Sequence, residues 1–188
     1  MKTQPETLSD ILYQLSVNES QTALRSLYLI YFKALIRFVA LYVGSMVVAE
    51  EIVSDTFLAV WNNRKTLREV SNFTSYIYKI ARHKSVDYLR LQHLEQVNLG
   101  DISVDMFTCT ETTPEKELIS KEGIGRLNEL INNLPTNHKL AFKLIREDRL
   151  KYKEVAAILD ISVKTVEAYM TATVKLLMDA LKSEVQSG

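Results

Sequence analysis

The chain has 188 residues, room for one ordinary domain or two small ones, and its 47% hydrophobic content is globular rather than disordered composition. With 5 Gly and 3 Pro, a β-architecture built on many tight turns is excluded, and the single Cys109 excludes an internal disulfide framework and a cysteine-based zinc site. The formal net charge is zero, so the free chain is not expected to hold nucleic acid tightly through phosphate contacts alone.

That zero conceals an uneven distribution. Residues 1–19 carry one Lys/Arg against three Asp/Glu, and residues 20–92 carry ten against five. Residues 93–121 carry two against six, and residues 122–188 carry ten against nine. An acidic connector therefore separates a basic block from a balanced one.

The N-terminus, Met1 to Asp10, is polar and lacks the basic-then-apolar layout of a secretory signal. Residues 1–19 read as an extension ahead of the first domain. From Ser20 onward, Leu24, Leu27, Tyr28, Tyr31, Leu35, Phe38, Val39 and Tyr42 recur at three- and four-residue steps, the inward face of a helix. The apolar run from Leu27 is not a membrane span: Lys33 and Arg37 sit in its middle, at about 2.5–3.5 kcal/mol each on insertion scales, and Gly44 and Ser45 interrupt it.

Gly44 is a helix stop and Ser45 a cap for the next helix. In that helix Ala49, Ile52, Val53, Thr56, Phe57, Val60 and Trp61 form the inward stripe, with Trp61 assigned to the core. Glu51, Ser54 and Asp55 recur on the outward face, suited to a basic partner surface or to plain solvation. A polar stretch, Arg64 to Asn72, leads into a third helix with Phe73, Ile77, Ile80, Ala81, Val86 and Leu89 apolar. Three helices with short connections make one bundle over residues 20–92.

Between Arg64 and Arg90 lie seven Lys/Arg against two Asp/Glu, interleaved with Phe73, Tyr76, Tyr78 and Tyr88. Cations that follow a phosphate backbone, with aromatics that stack on unpaired bases, are what a single strand requires. The same aromatics serve equally well as core, and for Tyr76 and Tyr78 both roles stay open.

Residues 93–121 have no sustained period and read as a linker, partly disordered in the free chain. A helical pattern resumes near Glu115, passes Leu134, and is broken by Pro135 before a further helix carrying Leu140, Ala141, Phe142, Leu144 and Ile145. Residues 122–188 form the second domain, and the fold class is all-α.

The second domain ends in a helix-turn-helix. Tyr152 to Leu159 is a two-turn helix with Val155, Ala156 and Leu159 inward, and Asp160-Ile161-Ser162 is the turn. Ser162 caps a second helix that Val163 and Val166 hold against the first. Asp160 stands where glycine often supplies a left-handed residue, a conformation that Asp tolerates better than most. Such a second helix can lie in a major groove. Ser162, Lys164, Thr165 and Tyr169 can donate to phosphates, and Glu167 can accept from a cytosine amino group. Glu167, Ala168 and Thr171 are not the arginine-rich set of a self-sufficient reader.

In this order the segments resemble the extracytoplasmic-function group of the sigma-70 family, and within it the Bacteroidetes-type members. The resemblance covers residues 20–92 and about 115–182. Ala49 to Trp61 resembles the family's polymerase-binding helix, which implies that Glu51, Ser54, Asp55 and Leu58 meet the β′ clamp of core RNA polymerase. Phe73 to Arg90 resembles the helix that reads and melts the −10 element. The resemblance implies contacts from Arg68, Asn72, Phe73, Tyr76, Lys79, Arg82 and His83, with the loop Leu67–Thr74 holding a flipped base at a cost of a few kcal/mol. Tyr152 to Thr171 resembles the −35 reader, which implies contacts from Tyr152, Ser162, Lys164, Thr165, Glu167, Ala168, Tyr169 and Thr171. It further implies the polymerase β flap as a partner, an anti-sigma regulator, a cytoplasmic monomer when free, and no cofactor.

Two rivals remain. A stand-alone helix-turn-helix regulator would dimerise on a palindromic site, and an interaction-only factor would have lost its DNA contacts. An enzyme is disfavoured: His83, His93 and His138 are scattered, and no Gly-rich phosphate loop or nucleophile–base set is present.

Overall fold

The computed structural model describes residues 7–98 and 129–185, with side chains through His93 in the first stretch and through Asp179 in the second. The chain divides into two compact units at Gly100 and Asp101. All regular elements among the described residues are helical. Most of the 93–121 linker, and with it the expected disorder, lies outside the described residues.

The N-terminal unit contains α1 (Leu8–Asn18), α2 (Gln21–Val43), α3 (Met46–Asn62), a 3-10 helix (Arg64–Glu69) and α4 (Phe73–Asn98). Its core is the α2 stripe. Leu27, Leu35 and Val39 are fully buried, with Tyr31, Ile36 and Phe38 nearly so, where α2 packs on α3 and α4. From α3 come Ala49, Ile52, Val53, Thr56, Phe57 and Val60; from α4 come Phe73, Ile77, Tyr78 and Ala81. Edge-to-face pairs tie the layers, Phe38 to Tyr78 at 5.1 Å and Tyr31 to Phe73 at 5.6 Å between ring centroids. α2 is long and apolar enough to cross a membrane, but this buried stripe makes it the central helix of the bundle.

Five expectations need adjustment. Residues 8–18, read as an extension ahead of the first domain, pack on it: Thr7 and Asp10 close a capping box, and Ile11 and Leu15 bury α1 against α2 and the 3-10 helix. The 64–72 stretch is not plain loop, because residues 64–69 wind into a 3-10 helix around buried Leu67. α4 continues to Asn98, beyond the boundary drawn at residue 92. Trp61 is only half-buried, its ring covered by the Arg64 guanidinium at 4.5 Å. Tyr28 also reaches the surface, though its ring stacks on Phe32 at 4.4 Å.

The C-terminal unit is described from residue 129. Its helices are α5 (Thr136–Arg146), α6 (Tyr152–Leu159) and α7 (Val163–Val185). Leu140, Ala141 and Leu144 of α5 and Val155, Ala156, Ile158 and Leu159 of α6 bury against Val166, Met170, Thr173 and Leu177 of α7.

Two buried side-chain atoms have no hydrogen-bond partner among the described residues, the Arg64 Nε and, in the core of the C-terminal unit, the hydroxyl of Thr173. A buried unpaired hydroxyl costs about 1–3 kcal/mol, and removing it in an isosteric side chain relieves that cost. Thr173→Val is therefore expected to raise unfolding stability by about 1 kcal/mol, read from the urea midpoint at unchanged m-value.

Candidate functional site

Three surfaces carry the residues singled out by sequence, two on the N-terminal unit and one on the C-terminal unit. The first is the outward face of α3. Glu51, Ser54, Asp55 and Leu58 are all exposed, Leu58 at 56%. The Ser54 hydroxyl donates to the Glu50 carbonyl at 2.8 Å. Asp55 pairs with Lys84 of α4 at 3.2 Å, so one carboxylate of the face is partly neutralised from the neighbouring helix. Val47, 77% exposed, lies one turn before Glu51 and adds a second apolar group that periodicity had not assigned.

The second surface is the 3-10 helix and the first turns of α4. Asn72 caps α4, its side-chain oxygen accepting from the Ser75 amide at 2.8 Å. Thr74 is tied to the Tyr31 hydroxyl at 2.8 Å, which fixes the start of α4 on α2. Arg68, Lys79 and His83 are exposed, while Tyr76 and Arg82 are half-buried. Arg82 donates to Tyr42; burial pushes the Tyr42 phenol above its ordinary pKa, and the charge and hydrogen bond of Arg82 pull the other way.

Phe73, expected at a flipped base, and Tyr78, whose role the sequence left open, are both core. Phe73 is 3% exposed and Tyr78 is 2% exposed, so neither ring can stack on a base in this conformation. Phe73 thus supports the loop from beneath rather than lining it. Tyr76, whose ring lies 6.2 Å from that of Phe73, and Tyr88 further along α4 are half-buried and stay within reach of solvent.

Sequence reasoning missed the groups that hold this loop. Arg64 of the 3-10 helix donates to the Trp61 carbonyl at 3.0 Å and pairs with Glu19 at 2.9 Å. Lys65 lies 3.8 Å from the same carboxylate, and the Arg68 guanidinium stands 5.6 Å from the Tyr13 ring centroid. Hydrogen bonding from Arg64, then its charge, holds the Glu19 carboxyl below the usual carboxylate range. The available signal was the Thr7–Asp10 capping spacing followed by Leu8, Ile11, Leu12 and Leu15 at helical steps.

The third surface is the helix-turn-helix. α6 ends on Asp160 in the left-handed conformation, φ 57 and ψ 48, as the turn requires. The Asp160 and Ile161 amides both return to the Ala156 carbonyl. Ser162 accepts from the Thr165 amide at 3.0 Å and caps α7. Beyond it, Lys164, Glu167, Ala168 and Thr171 are exposed on one face, while Val166 and Met170 anchor the other. Tyr169 is half-buried with its ring 4.2 Å from that of His138, and the Thr171 hydroxyl is engaged by the Glu167 carbonyl. A groove of about 550 Å³ beside α7 is lined by Arg146, Tyr152, Thr171 and Lys175 over Met170 and Val174. Its Arg146 and Lys175, with Asp179 opposing them, add one net positive charge that the motif itself does not include.

With an ordered pair of helical units, one displaying an acidic helix face and a basic loop, the other a helix-turn-helix, family membership can be decided. A model of sigma-70 region 2 matches residues 27–94, and a model of sigma-70 region 4 matches residues 124–177. The chain belongs to the sigma-70 family. The relatives it resembles include extracytoplasmic-function sigma factors. Promoter-specific transcription initiation is the work of this family, whose members are initiation factors rather than classical enzymes.

Among relatives, the ECF sigma-E factor of Haemophilus influenzae is 27% identical over 125 residues, 63% of this chain and 66% of that protein. The sigma factor CnrH of Cupriavidus metallidurans is 26% identical over 140 residues, 70% and 73% of the two chains. The ferric citrate uptake sigma factor FecI of Escherichia coli is 29% identical over 127 residues, 68% and 72%. The fold is that of the sigma factor RpoE of Bartonella quintana, solved with the anti-sigma factor NepR: TM-score 0.66, 20% identity, 84% of this chain and 96% of that one. CnrH, solved with the cytosolic domain of CnrY, gives TM-score 0.62 and 19% identity over 94% and 99%.

The α7 cap generates a prediction. Ser162→Ala is expected to destabilise the C-terminal unit by about 1 kcal/mol, the usual loss of an N-cap. Urea denaturation of the full chain, followed by helical circular dichroism, checks it.

Proposed function

We propose that this chain binds core RNA polymerase through α3 and is carried by it to promoters, where α4 and its preceding loop read and open the −10 element and α7 reads the −35 element. One observation carries the division of labour: on α3, whose other face is core, Glu51, Ser54, Asp55 and Leu58 are exposed together. An acidic face with an apolar group beside it suits a basic surface with an apolar pocket. By family likeness that surface is the β′ clamp, and the second unit meets the β flap.

The −10 contacts are then Arg68, Asn72, Tyr76, Lys79, Arg82 and His83, with the buried Phe73 as their support. The −35 contacts are Tyr152, Ser162, Lys164, Thr165, Glu167, Ala168, Tyr169 and Thr171. An anti-sigma protein as regulator, a monomeric free form in the cytoplasm and Bacteroidetes-type membership complete the reading. The two neighbours solved with anti-sigma factors support the first of these.

Affinity for DNA is low in the free chain on this account. The outward row of α7 sets Lys164 against Glu167, and the whole chain is neutral, so few counterions are released on binding. A gel shift at physiological salt is expected to show no tight, sequence-specific complex with isolated chain; such a complex would favour the stand-alone regulator instead. Joint reversal, Glu51→Lys with Asp55→Lys, is expected to abolish co-purification with core polymerase while leaving the helical spectrum unchanged. Undiminished co-purification would remove α3 from the interface.

A further inference from the structure

We propose that α1 is the mount of the −10 reading loop, with Glu19 and Tyr13 as positioning residues that hold its cations from outside the matched region 2. The inference rests on the sigma-factor reading and goes beyond it, since α1 precedes the first matched residue, 27.

Four of the first five residues of the 3-10 helix are held from α1 or its cap. Arg64 is held by Glu19 and Trp61, and Lys65 by Glu19. Leu67 is 1% exposed where α1 packs on the 3-10 helix, and Arg68 faces the ring of Tyr13. The Arg64 side chain is only 18% exposed, so it is a tie rather than a free DNA ligand; Lys65, at 77%, keeps its ammonium available to phosphate. Tyr13 is half exposed, which leaves its ring open as a platform for the guanidinium.

The backbone at Glu19 points the same way. It closes α1 in the left-handed conformation, φ 48 and ψ 38, a place that favours glycine because a Cβ crowds the neighbouring carbonyl. Neither capping nor turn geometry calls for glutamate there. Its carboxylate, directed at Arg64 and Lys65, is the reason the structure offers for the residue.

A loop that must capture an unpaired base needs its cations in fixed places before the strand arrives, because each freely rotating side chain must otherwise be ordered on binding. Tyr13 and Glu19 supply that order without touching DNA themselves.

The test uses the full chain assembled with core polymerase on a promoter fragment that the wild-type holoenzyme transcribes. The decisive variant is Glu19→Gly combined with Tyr13→Leu. Glycine relieves the left-handed backbone and leucine keeps apolar bulk, so the thermal midpoint and core-polymerase binding are expected to hold. Promoter opening, read as permanganate reactivity of −10 thymines, is expected to fall about fivefold to tenfold, the loss of the two Glu19 ion pairs and the Tyr13 cation–π contact. Tyr13→Phe, which keeps the ring, is expected to open the promoter like wild type. Undiminished opening by the double variant overturns the inference and leaves the sigma reading intact. A parallel fall in thermal midpoint and core binding would also overturn it, reducing α1 to scaffold. A wild-type chain that fails to bind core polymerase overturns the sigma reading, and this inference with it.

Discussion

The N-terminal unit depends on the burial of one face of α2. A helix of this hydropathy cannot leave Leu27, Leu35, Phe38 and Val39 in water, and α3 and α4 are the surfaces that cover them. At about 25 cal/mol per Å² of apolar area, each such side chain contributes roughly 1.5–3 kcal/mol when fully buried. Once α3 and α4 commit one face each to that contact, helical periodicity dictates what the opposite faces present. The acidic row of α3 and the basic row of α4 are thus consequences of the same packing that stabilises the unit. Asp55 and Lys84 meet where the two helices adjoin.

Packing also explains why aromatic content is a poor guide to the single-strand site. Phe73 and Tyr78 lie in the first turns of α4, yet their rings complete the α2 core through Tyr31 and Phe38. The start of α4 is anchored because Asn72 caps the helix, Thr74 bonds Tyr31 and Phe73 is buried. On the proposed reading, DNA contact there falls to side chains around this anchor. An anchored base with projecting cations suits a site that receives a flipped nucleotide, since less ordering remains to be done on binding.

The helix-turn-helix shows the opposite balance, with sound geometry and modest chemistry. Asp160 takes the left-handed turn, Ser162 caps α7 and Val166 seats it against α6. The exposed row nonetheless offers a lysine, a glutamate and an alanine, and the hydroxyls of Ser162, Thr165 and Thr171 are engaged locally. Arg146 and Lys175, from outside the motif, supply charge beside it. Such a reader selects among sites better than it holds one, which fits a protein delivered to DNA by a larger machine.

Residue order by itself determined the all-helical class, the two units, the inward stripes of α2 and α3, and the turn chemistry at Asp160 and Ser162. These are local or periodic properties, set by steps of three and four residues and by the few side chains that satisfy a helix end. Only the tertiary structure decided which aromatics were spent on the core, that Trp61 would be capped by Arg64, and that residues 8–18 belong to the bundle. Those outcomes depend on pairs far apart in sequence, such as Tyr31 with Thr74 or Glu19 with Arg64. No periodicity encodes a contact between elements; it appears only when the elements have been packed.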